Sequence, residues 1–467
     1  MREKLKVALN EISERHIAES AGGKKKHSTL LRIISAAAVA AIVIGLFQLP
    51  RPIAAKAVSS PATPRISSRP DLENYESKEQ WRAAYESWQE ERSNRIEQTK
   101  VAAGNLSHFF IKGSEEFLAN TIDTNTVWSP ANACIGLAML TELTAGETRQ
   151  QIMELFGVNS TDVLRQRISA VWESVYQDDE KEICTLANSL WLEENLQHEQ
   201  STMDALGYHY YASVYEGDLG SSKIYRSIGA WLDNNTGGLL NAKNQIELPP
   251  DTVLALYSTL YLQSKWGDPF QASKNTSGAF HTPSEDKTVT YMNKELNEMY
   301  YYWGDRFSAV SLGLKNGSSM WFILPDEGLA PTEVLAGGQY MEMVLEQNYQ
   351  NKKYMKVNLS VPKFDISAKQ DLKAGLQKLG ITKIFDPLAA DFSSITASIP
   401  VYLSSANQAA RIKIDEDGVK AAAYIEFPGP TSPAPPEDII DFILDRPFLF
   451  VIAKANIPLF SGIVNDP

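Results

Sequence analysis

The sequence has few of the residues from which disulfide frameworks and active sites are built. Cys134 and Cys184 are its only cysteines, so we expect two buried free thiols, with a single bridge as the alternative. The six histidines lack metal-ligand spacing, and G-x-S-x-G, Walker, H-E-x-x-H and paired C-x-x-C motifs are absent. We therefore expect a protein that is not an enzyme and that has neither a metal nor a cofactor.

The sequence also has fewer basic than acidic residues. The 467 residues carry a formal net charge of -13. Binding to a phosphate backbone requires clusters of Lys and Arg that neutralise the phosphates, so nucleic acid is excluded as the main partner. The apolar content of 43% is sufficient for a substantial core.

The N-terminal region has the pattern of an export segment. Residues 33–47 are uncharged, and the hydrophobic stretch extends back to Thr29, which is just long enough to span a bilayer if Arg32 snorkels to the interface. Residues 1–28 hold seven basic and four acidic residues, which predicts a cytoplasmic leader and an exported remainder. We expect residues 29–47 to be an uncleaved transmembrane signal-anchor. The alternative is a signal peptide cleaved near Ala57, which would give a secreted protein.

The remainder divides by composition into three parts. Residues 48–70 are rich in Pro, Ser and Ala and are expected to form an exposed spacer. Residues 71–99 are charged, lack Gly and Pro, and carry aromatic residues at helical spacing, which predicts a solvated helix. Residues 100–467 mix helical and strand patterns, ending in the apolar strand pattern of Phe448–Ala453, and predict one α+β domain.

A strand pattern near the C-terminus leads into a segment that cannot continue it. Residues 414–427 show a period of two. From residue 419 onward one face carries only apolar or small residues, namely Val419, Ala421, Ala423, Ile425 and Phe427. Prolines then recur from Pro428 to Pro436. Because proline lacks the N–H needed in a β-ladder and favours an extended, solvated conformation, the segment is predicted to be a strand that ends in a protruding loop.

The same prolines restrict where a protease could cut the loop. Between Phe427 and Glu437 every peptide bond except Thr431–Ser432 has a proline on one side. Most serine proteases accept proline poorly after the cleaved bond, because the attacked amide is tertiary and the ring is bulky. The pattern indicates an exposed loop with one cleavable bond. The alternative is an exposed linker in which one bond lacks a flanking proline by chance.

Several motifs resemble those of the serpins. The segment "DEDGVKAAA" at residues 415–423 resembles their reactive-loop hinge, and "DRPFLFVIA" and "FSGIVNDP" resemble their C-terminal strands. Upstream, "NTVWSPANACIGLAMLTELTAGETRQQI", "LYLQSKWGDPF" and "FILPDEG" follow in the family's order. The resemblance covers residues 100–467. It implies three β-sheets surrounded by eight or nine helices, with the reactive-centre loop exposed at one end.

The resemblance also implies roles for particular residues. It assigns the hinge to Glu416, Gly418, Val419, Ala421, Ala422 and Ala423. It assigns a polar cluster beneath the opening sheet to Ser129, Asn132, Ser258 and Gln408, where the family commonly has Ser, Ser, Asn and His. Counting from the hinge places the scissile bond at Ser432–Pro433 or Thr431–Ser432, and the proline pattern selects Thr431–Ser432.

The function implied is irreversible inhibition of serine proteases. A protease would cleave the loop and form an acyl-enzyme, and the freed hinge would insert into the main sheet as a new strand. Thr431 before the cut favours elastase-like or subtilisin-like targets. We expect a monomer of bacterial type displayed outside the cell. The alternative is a non-inhibitory serpin whose proline-rich loop is a recognition or spacer element.

Overall fold

A computed structural model describes residues 55–62, 70, 72–119, 123–178, 183–242, 245–346, 349–419 and 438–467, with the side chains of residues 100 and 102–105 excepted. Nine α-helices occur in this part of the chain. They are α1 (Lys78–Leu118), α2 (Pro130–Leu143), α3 (Gly146–Leu155), α4 (Thr161–Val175), α5 (Gln200–His209), α6 (Ser222–Asn235), α7 (Pro331–Leu335), α8 (Gln339–Leu345) and α9 (Lys373–Lys378). The expected α+β class with eight or nine helices is confirmed.

The strands of the described residues form three sheets. Those of the first half of the chain are β1 (Lys56–Ser59), β2 (Thr126–Trp128), β3 (Gln177–Asp178), β4 (Ile183–Glu193), β5 (Ala212–Gly217) and β6 (Leu254–Lys265). The second half contributes β7 (Thr276–His281), β8 (Asp286–Trp303), β9 (Phe307–Gly313), β10 (Ser318–Pro325), β11 (Lys352–Pro362), β12 (Phe364–Asp371), β13 (Asn407–Ile414), β14 (Gly418–Val419), β15 (Ile439–Ile443), β16 (Phe448–Lys454) and β17 (Ile457–Val464).

The largest sheet supplies the centre of the core. Its nine strands run in the order β15-β11-β8-β9-β10-β16-β17-β2, with β7 added alongside β8. Every residue of β16 and β17 is buried, as the continuous apolar run in the sequence predicts for strands covered on both faces. The short strand β2 pairs with β17 and leads directly into α2, so this sheet positions the N-terminus of α2.

The other two sheets lie on either side of a gap that no strand of the described residues fills. A six-stranded sheet has the order β1-β5-β4-β6-β14, with β3 alongside β4, and a two-stranded sheet consists of β12 and β13. No β-ladder joins β6 to β13 among the described residues, because the two strands belong to different sheets. The arrangement leaves an inner edge on each of the two strands.

The segment expected to be an exposed spacer contains a strand. β1 pairs antiparallel with β5, with Lys56 opposite Glu216 and Ser59 opposite Val214. The Ala62 amide also donates to the Gly207 carbonyl at 2.9 Å. Backbone pairing of this kind depends little on side-chain type, so a composition rich in Pro, Ser and Ala does not reveal it.

The charged helix expected over residues 71–99 is longer than its composition indicated. It begins at Lys78, with Ser77 accepting a hydrogen bond from the Gln80 amide, and continues without a break to Leu118. Thr99 is buried, and its hydroxyl donates to the Ala170 carbonyl of α4 at 3.0 Å. The boundary that we expected at residue 100 therefore falls inside α1. Trp81, Tyr85 and Trp88 form the expected aromatic stripe on this helix.

Gly462 allows β2 to approach β17, and this gives a test of the fold. A Cβ at this position would lie 2.4 Å from the Thr126 carbonyl oxygen and 2.6 Å from Cε1 of Phe450. We expect Gly462→Ala to lower the free energy of unfolding by about 1–3 kcal/mol, because a well-packed core resists added atoms. Thermal and denaturant unfolding measure the change.

Gly313→Ala is the matched control, since nothing lies within 4 Å of its Cβ position. It should change the free energy of unfolding by no more than about 0.5 kcal/mol. Equal stability of the two variants would contradict the packing of β2 against β17.

Candidate functional site

The gap between β6 and β13 is a cavity of about 770 Å³. Residues of β6 and β13 line its two sides, and the N-terminal half of α2 lines its floor together with Phe460 of β17. Leu232, Thr236 and Leu239 approach it from α6 and the turn that follows. The walls are therefore strand edges with unused backbone hydrogen-bonding groups, which is the chemistry that accepts an extended peptide.

The four residues expected to form a polar cluster meet at the floor of this cavity. Asn132 donates from its side-chain amide to the Ser258 carbonyl at 3.0 Å, and the Ser258 hydroxyl donates to Oδ1 of Asn132. Gln408 accepts from the Ser129 amide at 2.7 Å and donates to the Ser129 carbonyl at 3.0 Å. The Ser129 hydroxyl donates to the Leu459 carbonyl of β17 at 2.6 Å.

These bonds make the N-terminus of α2 a bridge. Asn132 holds β6 through Ser258, while Ser129 holds β13 through Gln408 and β17 through its hydroxyl. Because no ladder joins β6 to β13 among the described residues, the side chains of α2 are a connection between the two edges of the gap. Local sequence explains the geometry: Ser129 is the N-cap of α2, with proline following at the first helical position.

The first residues of the loop already contact the edge of β6. Gly418 pairs with Lys265 and Val419 with Ser264, in antiparallel register. Gly418 has φ of +148, and a Cβ there would lie 2.3 Å from the Cα of Lys265, so only glycine fits this close approach. Val419 is buried, which places the predicted apolar face of the hinge toward the interior.

The base of the loop is held by a set of polar contacts. The indole of Trp266 donates to the Asp415 carbonyl at 2.9 Å, and its backbone amide donates to the Asp417 carbonyl at 3.1 Å. The Lys363 ammonium lies 2.6 Å from the Glu416 carboxylate. Its hydrogen bond, helped by the Asn275 amide, holds the pKa of Glu416 below its usual range. The ion pair with Lys363 therefore favours the ionised carboxylate, and protonation of Glu416 at acidic pH would weaken this contact.

The structure locates part of the predicted site. It brings together the polar cluster Ser129, Asn132, Ser258 and Gln408, and it places Glu416, Gly418 and Val419 at one end of the same cavity. Ala421, Ala422 and Ala423 of the hinge, and Thr431 and Ser432 of the reactive bond, lie outside the described residues. Their assignment stays a prediction.

Sequence reasoning missed the residues that hold the loop base. Lys363, Asn275 and Trp266 come from three distant parts of the chain, so no spacing rule could group them. Trp266 could have been noticed, because it lies in "LYLQSKWGDPF", a motif that resembles the corresponding family motif.

Other expectations about sites concern cysteine, metals and the membrane. Cys134 and Cys184 are free and buried, and burial raises the pKa of both thiols, that of Cys184 to about 11. Within the described ranges no three His, Cys, Asp or Glu residues are placed to hold a metal ion. A search of the same ranges finds no helix with the length and apolarity to cross a bilayer, and residues 29–47 lie outside them.

The comparisons with known proteins agree with this geometry. The family model described as "Serpin (serine protease inhibitor)" matches residues 105–467. The chain belongs to the serpin family.

The chain is similar to several named relatives. It is 27% identical over 384 residues to alpha-1-antiproteinase of Rattus norvegicus, covering 78% of this chain and 89% of the relative. It is 26% identical over 396 residues to alpha-1-antitrypsin of Meriones unguiculatus, covering 81% of this chain and 93% of the relative. Among solved structures, the native state of the thermophilic serpin tengpin matches with a TM-score of 0.68 and 25% identity, over 78% of this chain and 93% of that one.

Gln408 provides a test of the bridge beneath the gap. In Gln408→Ala the buried amide and carbonyl of Ser129 lose their side-chain partner, which should cost about 1–3 kcal/mol in the free energy of unfolding. We expect a lower melting temperature and faster amide exchange in both β13 and the start of α2. Gln245→Ala is a control on the exposed rim of the same cavity, where the side chain reaches only the Asn241 carbonyl. Equal effects of the two substitutions would contradict the bridging role.

Proposed function

We propose that this protein inhibits serine proteases irreversibly, by cleavage of its loop, trapping of the acyl-enzyme and insertion of the loop between β6 and β13. The observation that carries the proposal is the unfilled gap between two strand edges, with Gly418 and Val419 already paired at its end. An inserted strand would satisfy backbone groups on both edges and bury apolar side chains, which releases free energy for the conformational change.

The register at the hinge sets how far insertion can proceed. Val419 pairs with Ser264 in antiparallel register, so continuing the same ladder places Ala423 opposite Leu260 and Phe427 opposite Leu256. β6 begins at Leu254. Pro428 and Pro430 therefore fall near the far end of β6, and their missing N–H groups interrupt little of the ladder. The prolines are compatible with insertion along nearly the whole strand.

The face of the hinge also suits insertion. Val419 is buried, so in an inserted strand alternation would direct Ala421, Ala423, Ile425 and Phe427 to the interior as well. The partners of the first residues on β6 are Ser264, Leu262 and Leu260, all of them buried. Small residues at positions 421 to 423 pass into the gap with little steric hindrance.

The target class follows from the loop sequence. We infer that the reactive bond is Thr431–Ser432, because every neighbouring bond from Phe427 to Glu437 involves proline. A small residue before the cut fits elastase-like or subtilisin-like serine proteases, since a large or charged specificity pocket would gain little from Thr431. The protein would act as a monomer, without a cofactor.

We further propose that the protein acts outside a bacterium-like cell, anchored by residues 29–47 or secreted after cleavage near Ala57. The pairing of β1 supports presentation from an N-terminal attachment. Lys56 lies opposite Glu216, at the end of the six-stranded sheet away from Lys265 and the hinge. β1 thus begins at the end of this sheet opposite the hinge, and an attachment through its N-terminus would be compatible with an accessible loop.

Two single substitutions in the hinge test this proposal. In Ala421→Glu a carboxylate would have to be buried opposite Leu262, which costs several kcal/mol for an unpaired charge. We expect the fraction of an elastase-like or subtilisin-like protease held in an SDS-stable complex to fall at least tenfold, with the loop cleaved instead. The readout is SDS electrophoresis and sequencing of the released C-terminal peptide.

Lys420→Glu is the matched control, because alternation places residue 420 on the outward face. It should form the complex as the unaltered protein does. Catalytic cleavage of the unaltered loop without any stable complex would refute inhibition and favour a non-inhibitory serpin. Cleavage elsewhere than Thr431–Ser432 would refute the site assignment.

A further inference from the structure

We propose that an aromatic surface beside the C-terminal end of the loop is a second docking site for the attacking protease. We call this surface the aromatic platform, and it consists of Tyr300 and Tyr302 of β8, Trp321 of β10 and Tyr354 of β11. The proposal rests on the proposed function, because the occupant is the serine protease that binds the loop.

The four rings form one continuous array on a sheet surface. Ring centroids are 5.2 Å apart between Tyr300 and Tyr354, 6.2 Å between Tyr300 and Tyr302, and 5.0 Å between Tyr302 and Trp321. Tyr301, the residue between two members, points to the other face and packs near the buried Phe442. The alternation along β8 therefore places Tyr301 on the face opposite to Tyr300 and Tyr302, of which Tyr300 is the more exposed.

The platform is exposed where a soluble protein would ordinarily place polar side chains. Tyr300 is 39% exposed, and Tyr302, Trp321 and Tyr354 are half-buried. Of the eleven exposed large hydrophobic residues in the described part of the chain, three are Tyr300 of β8 and Ile439 and Ile443 of β15, the strand that pairs with β11. Such a concentration of exposed aromatic and apolar surface marks an interaction site rather than scattered surface hydrophobicity.

The platform adjoins the point where the loop returns to the body. The Lys353 ammonium lies 2.6 Å from the Asp438 carboxylate, and the Lys356 amide donates to the Asp438 carbonyl at 2.9 Å. Tyr354 stands between these two lysines in β11. It is two residues from Lys356, or about 7 Å along the strand.

The length of the loop brings a bound protease over this surface. Ser432 and Asp438 are six residues apart, so the proposed reactive bond lies at most about 22 Å from the start of β15. A protease domain of roughly 230 residues has a radius of gyration of about 17 Å. Its surface beside the active-site cleft must therefore overhang the end of the body that carries β11 and β15.

The chemistry of the platform fits the rim of a protease cleft. Tyrosine and tryptophan provide large, rigid contact area and are enriched among the residues that dominate protein interfaces. Polar groups surround them: Lys352 lies 5.3 Å from the ring centroid of Tyr300, and the Tyr354 hydroxyl donates to Glu298 at 3.1 Å. An apolar centre with a charged rim is the usual anatomy of a docking surface.

The experiment measures how fast a protease attacks the loop of the whole protein. The protease is the elastase-like or subtilisin-like enzyme that attacks the loop fastest. The readout is the second-order rate constant for loss of the intact chain, and both the SDS-stable complex and the cleaved protein count as products. We expect the double variant Tyr300→Ala, Tyr354→Ala to lose at least about tenfold in this rate.

Two further variants serve as controls. The double variant Tyr300→Phe, Tyr354→Phe keeps the ring stacking and should retain a rate within about threefold of the unaltered protein. Tyr208→Ala removes a more exposed aromatic side chain from α5, a helix that packs on β5 and β1, and should leave the rate unchanged. Thermal unfolding of each variant shows whether a lost rate reflects a lost fold.

The outcomes separate this proposal from the proposed function. A tenfold lower rate in the alanine variant with an unchanged melting temperature supports the docking site, even if the products are cleaved chains only. Equal rates for the alanine variant and the unaltered protein overturn the docking site, even if SDS-stable complexes form normally. If the alanine variant unfolds early, the single-site variants Tyr300→Ser and Tyr354→Ser decide, and rates equal to that of the unaltered protein would overturn the proposal.

Discussion

The rest of the structure depends on two strand edges that face each other without pairing. β6 and β13 carry backbone groups that a β-ladder would normally satisfy, and the N-terminus of α2 links them through side chains instead. Each unpaired strand edge leaves backbone N–H and C=O groups without β-ladder partners, so it favours the addition of another strand. We propose that the chain itself supplies that strand on insertion, starting from Gly418 and Val419, which already pair with β6.

The hinge and the gap are matched in register as well as in position. Val419 opposite Ser264 sets which later residues would face inward in an inserted strand, and the same register would bring the prolines of the loop near the end of β6. Glu416 and Lys363, together with the indole of Trp266, hold the hinge at the entrance. The contacts at the base therefore determine where an inserting strand starts, while the sequence from residue 420 onward determines how it continues.

Much of this organisation was predictable from the sequence, for physical reasons. The period of two around Val419 indicated a strand with one apolar face, and Val419 is buried, while the rest of that face lies outside the described residues and stays a prediction. The cluster of Ser129, Asn132, Ser258 and Gln408 could be assigned because motifs at fixed spacing indicated the fold. The strand β1 could not be predicted, since its pairing uses backbone groups in a segment of spacer-like composition.

Features assembled from distant segments were also beyond sequence reasoning. Lys363 forms an ion pair with Glu416, a residue far from it in the chain. The aromatic platform likewise combines residues of three strands, β8, β10 and β11. The tyrosine run at residues 300–302 is equally compatible with a core strand, because the packing of the sheet determines which face is exposed to solvent.

Amide hydrogen exchange before and after cleavage of the loop tests the central claim most directly. The loop is cut at Thr431–Ser432, and exchange is followed in residues 254–265 of β6 and 407–414 of β13. Insertion predicts that amides along both facing edges become strongly protected after the cut and that the melting temperature rises. Unchanged exchange in β6 and β13, with an unchanged melting temperature, would contradict the account.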